Sequence, residues 1–230
     1  HTTLGASLKI RVKEKTAPTI TITAPSAGAY ITNTTPTIEF QVKDTDSGVN
    51  AGTIAVTVDG TAVSTVTKTA IDGGYKCTCT SPTLKDGSHT ISVKASDNDG
   101  NAAAAKTATF TVDTVPPTLQ ITAPSNNLIT NKKTVTVSGK TDDVSSKPVT
   151  VTVNGATVTV GTDGTFTKDV TLAEGANTIT IVAKDKAGKT TTVTRKVTVD
   201  TSAPVIKSIT LTPNPVDCGK TFIIAVEITD

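Results

Sequence analysis

Long stretches of the chain alternate apolar and polar residues with a period of two, as in Thr134-Val135-Thr136-Val137, Val149-Thr150-Val151-Thr152-Val153 and Thr178-Ile179-Thr180-Ile181. That alternation puts Val and Ile on one face of a β-strand and Thr on the other. Thr is β-branched and favours strands yet tolerates water, so it suits the solvent side of a half-buried sheet. Turn signals separate these runs. Asp59-Gly60 matches Asn154-Gly155, and Asp72-Gly73 matches Asp163-Gly164, all pairs suited to hairpin turns that need positive φ. The only helix-prone run is Ala102 to Ala105, and it sits where the second half of the chain has a strand hairpin.

The pattern is duplicated. Thr16-Ala17-Pro18-Thr19-Ile20-Thr21-Ile22-Thr23-Ala24-Pro25-Ser26 returns as Val115-Pro116-Pro117-Thr118-Leu119-Gln120-Ile121-Thr122-Ala123-Pro124-Ser125, and a third start appears at Ser202-Ala203-Pro204-Val205-Ile206. The offset between the two copies shrinks along the chain, and each drop falls in a polar, turn-like segment, as expected of duplicated modules. About seven short strands per copy, with turns every 8–12 residues, predict an all-β chain of tandem immunoglobulin-like β-sandwiches, about seven antiparallel strands each. The expected organisation is an N-terminal strand over 1–15, a first domain over 16–114, a second over 115–201, and the first two strands of a third module over 202–230. Leu8 to Thr16 reads like the last strand of a repeat, and His1 in place of Met reads as a trimmed start. Exposed edge strands at the two ends predict pairing with other proteins or self-association, or else the edges of a longer polypeptide.

The stretch Leu84-Lys85-Asp86-Gly87-Ser88-His89-Thr90-Ile91-Ser92-Val93-Lys94-Ala95-Ser96-Asp97-Asn98-Asp99-Gly100-Asn101 resembles the DG-x-HT-x-x-V-x-A-x-D-x-x-GN signature of bacterial immunoglobulin-like repeats. The second copy keeps it loosely from Leu172 to Ile179, and there is similar to sandwich modules attached to extracellular glycosidases. As a whole the chain resembles Ig-domain proteins of phage tail gene clusters in Gram-positive gut bacteria. The resemblance implies a non-enzymatic, extracellular structural or adhesion module, a semi-rigid spacer on a phage tail or bacterial surface. The alternative it implies is a pair of accessory modules, possibly glycan-binding, in a secreted carbohydrate-active enzyme. Such repeats serve many proteins, so the likeness speaks for fold more than for function.

Charge and composition narrow the chemistry. The net charge is +2 with Lys and Asp scattered, which leaves no basic footprint for nucleic acid, and no apolar run reaches the roughly 20 residues that span a bilayer. Membrane insertion is not expected. Thr makes up about a fifth of the 230 residues, aromatics 3%, and Trp is absent, so an aromatic sugar platform is disfavoured although a cell-surface glycan stays open. Tyr75 aligns with Phe166 as core, and Tyr30, opposite Leu128, reads as a plug over the core. His89 corresponds to Asn177, an exchange that suits a structural hydrogen bond and not a catalytic imidazole. Cys77 and Cys79 lie two apart on one strand, which is poor geometry for a mutual disulfide, and align with Lys168 and Val170. No catalytic residue or cofactor is predicted. The best site candidate is acidic: Asp44 and Asp46 after the second strand, with Asp97 and Asp99 between the last two, fall at one end of the sandwich and suit the oxygen-rich shell of calcium. The competing reading is that these residues close Asx-turns.

Overall fold

The computed structural model describes residues 12–212, 218–219, 221 and 223–229, and all of its regular elements are strands. The first sandwich is formed by β1 (Thr19–Ala24), β2 (Tyr30–Ile31), β3 (Thr37–Lys43), β4 (Val49–Val58), β5 (Thr61–Ala62), β6 (Thr67–Ile71), β7 (Gly74–Thr80), β8 (Gly87–Asp97) and β9 (Lys106–Val112). One sheet runs β1-β3-β7-β6 and the other β2-β9-β8-β4-β5. The second sandwich comprises β10 (Thr118–Ala123), β11 (Leu128–Thr130), β12 (Thr134–Asp142), β13 (Thr150–Val153), β14 (Ala156–Val158), β15 (Thr165–Thr171), β16 (Gly175–Lys184) and β17 (Thr190–Val199). Its sheets run β10-β12-β15 and β11-β17-β16-β13-β14. These are nine and eight strands where about seven were expected. The surplus comes from two- and three-residue pieces such as β2 and β11, where the opening strand leaves one sheet and pairs in parallel with the last strand of the other. Ala102 to Ala105 forms no helix, only an isolated bridge from Ala102 to Ser96.

The alternation read from the sequence sets the layers. In β3 the burial pattern puts Ile38, Phe40 and Val42 inside, and in β8 it does the same for Ile91, Val93 and Ala95. These residues, with Val56, Val58, Cys77, Phe110 and Val112, form one core between the two sheets. Aromatic burial in the second sandwich falls to Phe166, packed in a unit whose other buried apolar residues include Val137, Val151, Ile179, Ile181 and Val197. At one pair of matched turns both residues take positive φ, Asp59 and Gly60 at 50° and 80° and Asn154 and Gly155 at 48° and 80°, whereas in Asp72-Gly73 and Asp163-Gly164 only the glycines do, at 71° and 83°. Both residues in left-handed geometry match the twist of a two-residue hairpin.

Register, however, corrects the expected correspondences of Tyr75, Cys77 and Cys79, and with them the match of Asp72-Gly73 to Asp163-Gly164. The β3–β7 ladder pairs Phe40 with Cys77 and Ile38 with Cys79, whereas the β12–β15 ladder pairs Gly139 with Phe166 and Val137 with Lys168. Because β1–β3 and β10–β12 keep one constant offset, bulge included, Cys77 corresponds to Phe166 and Cys79 to Lys168; Tyr75 falls opposite Gly164. The sequence alignment is off by two residues here, and a two-residue slip in a strand preserves which side chains face the core. Tyr75 does pack against the core, but Tyr30 does not. Its neighbours Ala29 and Ile31 do, so alternation turns Tyr30 outward, and hydrogen bonding from Asp113 and Asp200 to Ile31 and Thr130 makes Ile129, not Leu128, its counterpart.

Two compact units emerge. One contains the described residues up to Pro117 together with Asp143–Val149 and Lys184–Thr190; the other contains the remaining described residues. Near the N-terminus the described part of the expected first strand, from Val12 to Thr16, is not in a strand, and the rest of it lies outside the described residues. Toward the C-terminus β18 (Val205–Thr212) and β19 (Ile223–Thr229) pair antiparallel, with Ile206, Ile209, Ile224 and Ile228 all exposed.

Candidate functional site

Two of the four predicted carboxylates meet. Asp44, at the end of β3, is buried, and its Oδ1 accepts N–H bonds from Asp46, Ser47 and Gly48 at 3.2, 3.0 and 2.8 Å. Asp97, the last residue of β8, is buried as well; its Oδ1 accepts from the backbone of Asp99 and Asn101. Both therefore close Asx-turns, as their loop composition suggested. The third member of the group is Glu14, from the segment before β1: Glu14, Asp44 and Asp97 each offer an oxygen within 4.8 Å of the others. Asp46 is exposed and Asp99 instead accepts the Glu14 N–H through Oδ2 at 3.2 Å, so neither joins the group.

The Asn101 side chain holds this first cluster together. Its Nδ2 donates to Asp97 Oδ2 at 2.6 Å, to Glu14 Oε1 at 3.0 Å and to the Glu14 carbonyl at 3.0 Å, while Ser47 Oγ donates to Glu14 Oε1. Burial raises the Asp97 pKa, but the contact with Glu14 and the bonds from Asn101 and the Gly100 backbone outweigh it, and the carboxyl sits well below its ordinary range.

A second cluster repeats the first. Asp113, Asp143 and Asp185, all in the first compact unit, lie within 4.8 Å of one another by one oxygen each. Asp143 and Asp185 are the repeat-two partners of Asp44 and Asp97. Glu14 and Asp113 were missed because both stand outside the sandwich they serve, just ahead of its first strand. A signal for them does exist: an acid precedes the loop aspartate by thirty residues in Glu14/Asp44, in Asp113/Asp143 and, at the third start, in Asp200/Asp230. Asp230 lies outside the described residues.

The remaining candidates have structural partners. His89 Nδ1 meets Asp59 Oδ2 at 2.6 Å and its Nε2 meets the Lys85 carbonyl at 2.7 Å. Asn177 Nδ2 donates to Ala173 O, the same four-residue reach backward with an amide in place of the ring. Burial lowers the His89 pKa, yet the bonds to Asp59 and Lys85 O and the Asp59 charge raise it above its ordinary value overall. All three cysteines are free, and burial pushes the Cys77 and Cys79 thiols up, away from nucleophilic thiolate. A groove of about 460 Å³ beside β6 and β7 is lined by Ser and Thr residues, among them Ser64, Thr65 and Thr78, together with Ala62, Val63, Cys79 and Pro82. The ring of Tyr30 lies beneath the Lys186 ammonium, 5.1 Å from its centroid.

Each module also ties down its own exit. Asp86 accepts from Thr114 N and Oγ at 3.0 and 2.9 Å, and Glu174 accepts from Thr201 N and Oγ at 2.8 and 2.7 Å. The two linker threonines are held by a forked carboxylate from the same module.

Comparison with known proteins agrees with this layout. Residues 18–93 match a family model described as "Bacterial Ig domain", and residues 117–201 match "Glucodextranase, domain B". Bacillopeptidase F of Bacillus subtilis is 30% identical over 188 residues, which is 82% of this chain and 12% of that protein. Chitinase ChiA of Flavobacterium johnsoniae is 31% identical over 173 residues, 68% of this chain and 11% of that one. The chain thus spans only about an eighth of the length of the curated relatives it matches. Among solved structures, the fibronectin(III)-like modules of Clostridium thermocellum CbhA align with a TM-score of 0.48 at 20% identity, covering 79% of this chain and 94% of theirs. A three-Ig fragment of titin gives 0.49 at 13%, covering 84% and 68%. With two facing sheets in each module and two adjacent family matches, the chain is a tandem of immunoglobulin-like β-sandwiches.

Proposed function

We propose that the chain is a non-catalytic structural module of a larger extracellular protein, spacing or displaying a binding element at a bacterial or virion surface. One observation carries the reading. About 30% identity over most of this chain corresponds to a small fraction of two proteins named for different chemistries, a peptidase and a chitinase. A segment that accompanies unrelated reactions is one whose role is independent of either, since function resides in sites grafted onto folds. The local chemistry agrees with it: the groove is lined by Ser and Thr hydroxyls interleaved with Ala62, Val63, Cys79 and Pro82, the buried thiols are raised, and the histidine is engaged on both nitrogens. The virion setting rests on the resemblance to phage tail proteins alone.

A second reading makes the pair accessory modules of a carbohydrate-active enzyme, with affinity for its polymer. The match of residues 117–201 to a glucodextranase domain and the similarity to a chitinase favour it. The poverty of exposed rings weighs against it, because sugar faces usually stack on aromatic side chains. Incubating the purified chain with a fluorogenic peptide library and chitin oligosaccharides, alongside a glycan array, separates these roles. We expect no turnover and no saturable glycan signal. Turnover of either substrate would sink the non-catalytic reading, and saturable binding to a glycan would establish the accessory role in its place.

A further inference from the structure

We infer that Asp113, Asp143 and Asp185 form a binding site for a divalent cation of the calcium type, a property that goes beyond the spacer role. Asp113 follows β9, Asp143 follows β12 and Asp185 follows β16. They are 0%, 5% and 5% exposed. Buried carboxylates need a cation, a set of hydrogen-bond donors, or a proton. Among the described residues, no Lys or Arg pairs with any of the three.

The donors present do not complete the set. Asp113 Oδ1 accepts from Val115 N at 3.1 Å and its Oδ2 accepts from Ser146 Oγ. Asp143 Oδ1 takes N–H bonds from Ser145 and Ser146 at 2.8 and 2.7 Å. Asp185 Oδ1 accepts from Lys189 N at 2.8 Å, but Asp185 Oδ2 is buried with no hydrogen-bond partner among the described residues.

Comparison with the first cluster shows what is lacking. There the atom equivalent to Asp185 Oδ2 is Asp97 Oδ2, which receives the Asn101 amide at 2.6 Å. In the second copy Asn101 is replaced by Lys189, whose backbone repeats the Asn101 N–H bond while its side chain makes no hydrogen bond or ion pair among the described residues. An acceptor that is capped by protein in one copy is left bare in the other, inside a group of three carboxylates. Three hard oxygen donors with no thiolate or imidazole suit calcium or magnesium and not zinc, and the flexible shell of calcium accepts loop carboxylates supplemented by carbonyls and water.

The test is titration calorimetry and thermal melting of the full chain after dialysis against chelator, using calcium chloride alone as the probe. One calcium per chain is expected, with a melting temperature raised by about 3 °C or more at saturation. Asp185→Asn should abolish the heat, while Asp97→Asn, in the capped cluster, should keep it. A wild-type chain with neither heat nor a melting shift at millimolar calcium overturns the site whatever the variants do. Binding retained in a folded Asp185→Asn and lost in Asp97→Asn would overturn the assignment to this cluster.

Discussion

The two sandwiches solve one packing problem with the same ring on opposite strands. In the first, Phe40 on β3 faces Cys77 on β7; in the second, Gly139 on β12 faces Phe166 on β15. A large residue and a small one have changed places across a single cross-strand pair, so the space between the sheets is filled in both cases. Cores tolerate such exchanges when volume is conserved, and the pair, not the single position, is the unit that must be kept. The same duplication shows a second kind of divergence at the surface. Asp59 and His89 form a titratable pair where Asn154 and Asn177 make uncharged bonds; Asp59 Oδ1 accepts the N–H of Thr90, next to His89, whereas Asn154 Oδ1 accepts that of Thr180, three residues beyond Asn177.

Hydrogen exchange read separately over each sandwich in the full chain can break this comparison. Phe166→Ala should have the largest effect, removing about 3–5 kcal/mol from the second sandwich while protection of the first stays unchanged. Loss spread equally over both would mean that the two cores are not independent. Gly139→Ala comes next. A Cβ there would collide with Gln120 O and lie 2.8 Å from Phe166 Cζ, so overpacking of about 1–3 kcal/mol is expected. Adding Phe166→Leu should rescue only part of it, because the backbone oxygen remains in place; full rescue would show that the ring alone sets the limit.

The smallest effect is the one with a pH signature. With its folded pKa raised, His89 contributes stability that is complete below about 6.5 and fades as pH rises through the folded value. Asp59 is shifted the other way: burial raises it, but the His89 bond, the Thr90 N–H and the His89 charge lower it overall, so its contribution is lost only when the medium turns acidic. Partial exposure of the pair limits its contribution to about 0.5 kcal/mol. His89→Asn, copying the second module, should flatten the stability of the first sandwich across pH 6 to 9. A slope that survives the substitution would assign it to another group.

How far the sequence discloses this structure depends on which symmetry carries the information. Period two reveals strands and inward faces, so Ile38, Phe40, Ile179 and Ile181 are legible at once, and Asp59-Gly60 and Asn154-Gly155 mark their hairpins. Period two is blind to a slip of two residues, and for that reason Cys77 aligns with Lys168 on paper and with Phe166 in the ladder. The site is half legible for a different reason. Asp44 and Asp97 belong to loops of a recognisable sandwich, but Glu14 and Asp113 sit ahead of the fold they serve, where no strand pattern points to them. Nor does composition show that the Asn101 amide caps one cluster and that Lys189 leaves the other open; that depends on side-chain direction.

The forked carboxylates at Asp86 and Glu174 have a consequence for how such chains grow. Each holds the threonine that follows its own last strand, Thr114 or Thr201, without borrowing an atom from what comes next. A recombination break immediately after either threonine therefore severs none of the clamp's bonds. Exchange of modules at these seams would leave each latch whole, while a break after Thr114 would also part Asp113 from Asp143 and Asp185, so the latch and the acidic cluster draw the module boundary in different places.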